Sequence, residues 1–370
     1  MSLPLQAARR AVEHRARLAE LFPWTTSPLL IGAPMRVFSG PAMAVAIARA
    51  GGLGFIGPGE SPESSTKDLA DAKSLLAAKP LAQASKTPSS SSSAAPTLLP
   101  IGVGFQVWNG NLESATAAVS AHRPCAVWLF APKDGQAQLD QWTTALRKAS
   151  PGTQVWIQVG TLREALEAAH TSGADALVLQ GAEAGGHGRT SDGIGLISLL
   201  PEVADSLSQN GHSVPLIGAG GIADGRGAVA ALGLGAAGVA MGTRFLAATE
   251  ARVNPAYQAE VVRATDGAAN TGRTHLYNHL RGTFGWPEEK WSPRGLLNQS
   301  WTDKQAGVSF DELKVRHDAA AKEGGKAAWG SEGRVATYVS ASVGLVRSVE
   351  DAGKIIEQTR EEIKEIKALA

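Results

Sequence analysis

Between Leu29 and Met241 the sequence repeats one cadence: a short apolar run, a glycine-containing loop, then a helical stretch. That alternation calls for parallel strands joined by crossover helices, and few architectures satisfy it. The strand candidates are 29–34, 54–56, 101–105, 126–130, 155–159, 176–179, 214–217 and 239–241, and helical stretches follow all but the last, at 41–50, 64–78, 112–121, 138–148, 161–171, 194–207 and 225–234. Pro41 suits a first helical turn, and Thr161 with Glu164 three residues on spells a capping box. Eight parallel units close into a TIM (β/α)8 barrel, so the fold class expected is α/β.

Within the cadence, Ala176 to Thr190 (ALVLQGAEAGGHGRT) stands out. An apolar run short enough for a strand buried on both faces breaks into Gly181, Gly185, Gly186 and Gly188, with the carboxylate of Glu183 and the imidazole of His187 among them. A tight turn alone would explain the glycines but gains nothing from a titratable group. At the carboxyl end of a barrel strand, such a loop is where these folds keep their chemistry. Two further loops belong beside it: Gly218 to Gly225 after the seventh strand, and Met241-Gly242-Thr243-Arg244 after the eighth. Barrels commonly bind phosphate there, and Gly220, Gly221, Gly242 and Thr243 supply backbone donors, so a phosphorylated cofactor is expected across the mouth with His187 beside its reactive ring. Gly52, Gly54 and Gly57 spell G-x-G-x-x-G, but here the motif follows a helix and contains a strand, so it is not a dinucleotide fingerprint.

Composition narrows the partners. The net charge of the 370 residues is +1, and no Lys/Arg block makes a nucleic-acid or membrane footprint, so a small-molecule partner is expected. Cys125 is the only cysteine, which excludes an internal disulfide and any cysteine-based metal cluster and suits a reducing, cytoplasmic compartment. No apolar run reaches the ~18 residues of a membrane span. The first eighteen residues, rich in arginine, read as a leading helix, with mitochondrial targeting the alternative. Residues 79–100 carry five consecutive serines and four prolines and read as a mobile surface insertion. His275 and His279 are four apart, as metal ligands can be, but a third ligand is missing nearby and a helix face is expected.

The sequences QGAEAGGHGR and PLIGAGGIADGRGAVAALGLGAAGVAMGTRFL, with LLIGAPM, ARAGGLGFIG and Gly102-Val103-Gly104-Phe105, resemble the nitronate monooxygenase family, formerly called 2-nitropropane dioxygenases. The resemblance covers most of residues 28–250, and weakly Val343-Gly344-Leu345. It implies noncovalent FMN, no metal, and oxidative denitrification of an alkyl nitronate or nitroalkane with O₂. It also implies a barrel over 1–247, a smaller substrate-covering domain over 248–330, and a return over 331–370, where Ile355, Ile356, Ile363 and Ile366 form a helical stripe. Carried over residue by residue, His187 is the catalytic base. Gln180, Gly185 and Gly186 contact flavin in the central loop, Gly220 and Gly221 in the next, and Ala240, Met241, Gly242 and Thr243 hold the phosphate end. Two departures matter. Gly104 stands where the family often has Asn, so a contact is lost or passes to Gln106, and Ala240 replaces a common glutamine.

A nitro group acidifies its carbon, and an imidazole with an ordinary pKa near ~6.5 is suited to removing that proton, whereas a nitronate has already lost it. Two other functions fit the same loops: a barrel reductase passing electrons from NAD(P)H through FMN to a quinone or enoyl thioester, and a flavin-binding accessory protein without turnover. The serine-rich segment contributes little to either the core or the site on this reading. Deleting residues 85–95 should leave flavin content and specific activity nearly unchanged, as read by absorbance and turnover of the purified variant.

Overall fold

The computed structural model describes residues 2–61, 63–81 and 98–369; most of the serine-rich segment, and with it the expectation of a mobile insertion, lies outside them. Eight parallel strands close into a barrel: β1 (Leu29–Gly32), β2 (Leu53–Ile56), β3 (Leu99–Gln106), β4 (Pro124–Phe130), β5 (Gln154–Val159), β6 (Ala176–Gln180), β8 (Leu216–Ala219) and β9 (Gly238–Met241). The remaining strands, β7 (Gly186–Arg189), β10 (Thr271–Arg273) and β11 (Trp291–Leu296), form a separate antiparallel sheet. The expected barrel is therefore present, with its ends shifted by a few residues. The central glycine loop differs from the expectation: its second half is a strand. Gly186 to Arg189 pair with Arg294 to Trp291, so the loop is tied by backbone hydrogen bonds to chain a hundred residues downstream.

Side-chain alternation sorts the barrel into two layers. Leu30, Ile56, Val103, Val127, Ile157, Leu177, Val239 and Met241 face the helices, and Ile31, Phe55, Trp128, Trp156, Val178, Ile217 and Ala240 face inward. The inner layer is dominated by three rings, with centroids of Phe55 to Trp128 and Phe55 to Trp156 each 5.3 Å apart. The inward positions of β3 are glycines because that space is taken: a Cβ on Gly102 would lie 2.3 Å from the Phe55 ring, and one on Gly104 2.4 Å from Pro34 Cβ. Gly54 answers the dinucleotide question in the same way, since a Cβ there would lie 2.3 Å from the Ala44 carbonyl oxygen, so this glycine brings a helix close to a strand.

Helix boundaries follow local chemistry. Thr161 caps its helix by accepting from the Glu164 amide, but the Glu164 carboxylate reaches the Gly160 amide at 2.8 Å in place of the capping residue's own. That helix runs over Leu162–Glu167 and its last turn widens into a π-helical turn, Ala168–Ser172. The leading segment is the helix Leu3–Leu21, which crosses the amino-terminal end of the barrel: Arg15 donates to the carbonyls of Leu232 and Ala236, and Phe22 inserts beneath Trp156 with ring centroids 6.0 Å apart. At the other end of the sequence, the helix Ala352–Leu369 lies across the helices Pro41–Arg49 and Gly225–Gly233. Ile355, Ile356 and Ile363 are buried there, Arg360 donates to the Ala50 and Gly51 carbonyls, and Glu362 accepts from the Gly225 amide, so each charge meets the helix end of opposite partial charge. No helix among the described residues is long and apolar enough to cross a membrane.

Phe22 is 1% exposed and is the floor on which Trp156 rests. Phe22→Ala should cost about 3–5 kcal/mol, measured as a fall in unfolding free energy in denaturant, because the aromatic layer above cannot collapse into the space.

Candidate active site

At the carboxyl ends of the strands lies a cavity of about 240 Å³. Its floor is the top of the inner aromatic layer, and its walls are the upper inward residues of β3, β4, β5, β6, β8 and β9 and the loops that follow the strands. Of the residues expected at the site, Gln180, Gly185, Gly186, His187, Gly220, Gly221, Ala240, Gly242 and Thr243 all line this one cavity. Met241 is the exception. Alternation along β9 turns its neighbour Ala240 inward and packs the Met241 side chain among the residues between strands and helices.

The glycines fall into two kinds. A Cβ on Gly185 would lie 2.4 Å from the Val339 backbone, so this glycine is needed by the returning chain. A Cβ on Gly242 would meet nothing nearer than Met35 Sδ at 3.8 Å, so this one leaves room on the cavity side. Gly220 and Gly221 have φ of +99° and +76°. Among the described residues their amides, like that of Gly242, have no protein acceptor. Three unspent backbone donors at one end of a cavity suit an anion. Thr243 completes that end, its hydroxyl accepting from the Ser340 amide at 3.0 Å.

Three glutamines crown the inner layer: Gln106 on β3, Gln158 on β5 and Gln180 on β6. Gln158 Oε1 accepts from the Trp128 indole at 2.9 Å, and Gln180 Nε2 donates to the His187 carbonyl at 3.1 Å, which leaves one end of each of these amides for a ligand. Gly104 has no side chain to offer, and Pro34 fills the place of one, so on this wall Gln106 is the next polar group along the strand.

His187 is presented by β7, and its placement depends on the cap that follows the barrel in sequence and carries Asn278 and Trp286. Its ring stacks on Trp286 at 3.8 Å with planes 7° apart, and its Nε2 lies 3.0 Å from Asn278 Nδ2. Trp286 in turn packs on Trp108 at 4.7 Å, walling the cavity with aromatic surface. Arg273 fastens the loop from behind: its guanidinium donates to the carbonyls of Ala182, Ala184, Gly186 and Ser292 and, among the described residues, makes no ion pair. Burial, and then Arg294, lower the pKa of Arg273 to about 10. Burial, followed by the positive charge of Arg273, the nearby His275 and Arg281, pushes His187 down to about 3. The imidazole is therefore neutral across the physiological range.

Glu183, the other ionisable group of the central loop, does not face the cavity chemistry. Its carboxylate accepts from the Leu196 amide and so caps the helix Leu196–Gln209. His275 and His279 both approach Glu288, His279 Nε2 at 2.6 Å, and no group of three metal-ligating side chains occurs among the described residues. The residues that sequence reading missed are Gln158, Asn278, Trp286 and Tyr338. Strand alternation marks Gln158 as inward; Asn278 and Trp286 come from the cap and Tyr338 from the chain that returns after it, where short helices and loops carry no periodic signal.

Comparison with known proteins agrees with this geometry. Residues 17–274 match the family model described as nitronate monooxygenase. The chain is 60% identical to the nitronate monooxygenase npaC of Metarhizium robertsii, covering 96% of both proteins, and 34% identical to the nitronate monooxygenase of Neurospora crassa, covering 99% of this chain and 97% of that one. Among solved structures it resembles FabK from Thermotoga maritima, with a TM-score of 0.69 and 25% identity over 95% of this chain and 97% of that one. It also shares its fold with the nitroalkane oxidase of Streptomyces ansochromogenes, with a TM-score of 0.69 and 23% identity over 96% of this chain and 100% of that one. A match across most of the barrel, and identity that runs nearly end to end, place this oxidoreductase in the nitronate monooxygenase family.

Proposed function

We propose that this enzyme binds FMN across the barrel mouth and uses O₂ to oxidise small alkyl nitronates, releasing the nitrogen from carbon. The observation that carries the reading is His187, a neutral ring stacked on Trp286 beside a cavity whose far end offers unspent backbone donors. The phosphate of FMN would lie at Gly220, Gly221, Gly242 and Thr243, beside Ala240, and the polar edge of the flavin at Gln106, Gln158 and Gln180, with the backbone of Gly185 and Gly186 alongside. FMN would supply the redox chemistry, which no side chain of the cavity offers.

The protein's own contribution is position and field. The aromatic wall of Trp108 and Trp286 excludes water from one side, and a neutral His187 reaches the substrate without adding a charge that would have to be neutralised. An imidazole lowered this far is a weak base, and a nitronate needs none. The division of labour follows the chain: barrel over 1–247, cover over 248–330, return over 331–370, with β7 the one strand of the cover's sheet that the barrel segment supplies. The single thiol, Cys125, is buried, with its pKa raised by burial, and takes no part in the site.

The test compares a nitronate with its parent nitroalkane. His187→Asn should lower kcat/KM for the neutral nitroalkane by about 10²-fold or more, the scale of general-base loss, and for the nitronate by about tenfold, the scale of one hydrogen bond. Because His187 is held near 3, the neutral form persists as pH falls, so kcat/KM for the nitroalkane should stay flat from pH 8 down to 5 where an ordinary histidine would switch it off near ~6.5. Equal losses on both substrates with cofactor retained would confine His187 to binding.

A further inference from the structure

The hydrogen bonds around His187 run in one direction. Arg281 Nη1 lies 3.2 Å from the Tyr338 hydroxyl, and a guanidinium only donates, so the phenol oxygen accepts there. The phenol proton is then directed to its other neighbour, Asn278 Oδ1, at 3.3 Å. With its oxygen occupied as acceptor, the Asn278 amide turns its NH₂ toward His187 Nε2 at 3.0 Å. Asn278 is 1% exposed and Trp286 fixes the plane of the imidazole, so neither partner is free to swing away. His187 Nδ1 has no protein partner among the described residues and is not among the fully buried unpaired atoms, which makes it the nitrogen open to the cavity.

We propose that Asn278 is a positioning residue that holds His187 as the Nδ1–H tautomer, so that the ring offers the cavity a hydrogen-bond donor and keeps its lone pair on the amide side. The inference rests on the reading above that His187 touches the substrate. Its consequence is specificity. A nitronate carries its negative charge on the nitro oxygens, which accept from Nδ1–H without any proton changing place. A neutral nitroalkane needs a lone pair at the same position, and that requires the Asn278 amide to turn over against the order imposed by Tyr338 and Arg281. The charged or titratable groups facing His187 are Arg273 on β10, His275 and Arg281 at the two ends of the helix Leu276–Leu280, and the Tyr338 phenol, with ring centroids 6.1 Å apart; burial and the first three keep the ring neutral, so its tautomer is the variable that remains.

The experiment is nitrogen NMR on the flavin-loaded, substrate-free protein with ¹⁵N-labelled histidine, the His187 signals being assigned by their loss in H187N. In the wild type Nδ1 should carry the proton and Nε2 should be bare. In Asn278→Asp the carboxylate can only accept, so the proton should move to Nε2, and the ratio of kcat/KM for a nitroalkane over its nitronate should rise by about tenfold. In Tyr338→Phe, which leaves the amide in place and removes its director, both tautomers should appear. A wild-type ring protonated on Nε2, or a tautomer unchanged in both variants, overturns the proposal. A tautomer that reverses in Asn278→Asp with no change in the substrate ratio overturns the claim about specificity. None of the NMR readouts depends on turnover, so the expected tautomers in an enzyme inert to nitronates would sink the functional reading and the claim about specificity with it, and leave the tautomer assignment standing.

Discussion

The packing of Phe55, Trp128 and Trp156 inside the barrel decides where a ligand can lie. Three large rings occupy the inner layer, Phe22 closes it from below, and Gly102 of β3 yields the space the Phe55 ring needs. With the lower interior filled, a ligand can meet only inward residues at the upper ends of the strands, among them the glutamines of β3, β5 and β6, Phe130 of β4 and the small Ala219 of β8 and Ala240 of β9. A solid core thus produces a shallow polar floor at the carboxyl ends of the strands. The leading helix belongs to the same device, because without it Trp156 would have solvent beneath it.

The second constraint is the sheet that joins cap to barrel. Gly186 to Arg189 are paired in register with β11, and Arg273 gathers four carbonyls from both sides of that join. A glycine-rich loop left to itself would sample many conformations. Here it is a strand with a cation behind it, so the imidazole it carries is placed to the precision of a sheet. Arg189 extends the same fastening at the loop's far end, reaching Glu164 and Asp192 and lying 5.0 Å over the Trp291 ring.

The barrel was legible because its signal is local and repeated: an apolar run, a turn and a helix, each readable within a dozen residues. The loops at the strand ends were legible for a related reason, since glycine at a strand terminus marks either close packing or room for a ligand. Which of the two applies was not legible. Gly185 and Gly242 look alike in sequence, yet one is crowded by Val339 and the other faces open cavity, because the difference is set by chain that returns a hundred or more residues later. Strand parity separates Ala240 from Met241 and singles out Gln158, so that part of the site was within reach. Asn278, Trp286 and Tyr338 were not. They sit on a five-residue helix and irregular segments, and their importance comes from what they touch.

One local field acts both on His187 and on any anion that lies beside it. Arg273 and Arg281 bring positive charge close to His187, and with burial they make the imidazolium costly. A mechanism that parks a proton on this ring therefore works against its surroundings. An anion entering the cavity meets the opposite sign of the same effect: the cations that disfavour imidazolium favour an anion beside it, and the unspent amides at the other end favour a second one. A substrate that arrives already deprotonated avoids the unfavourable half of that field and gains from the favourable half. On the function proposed above, burial together with these cations disfavours a proton on His187, and the cations favour a substrate that arrives as an anion.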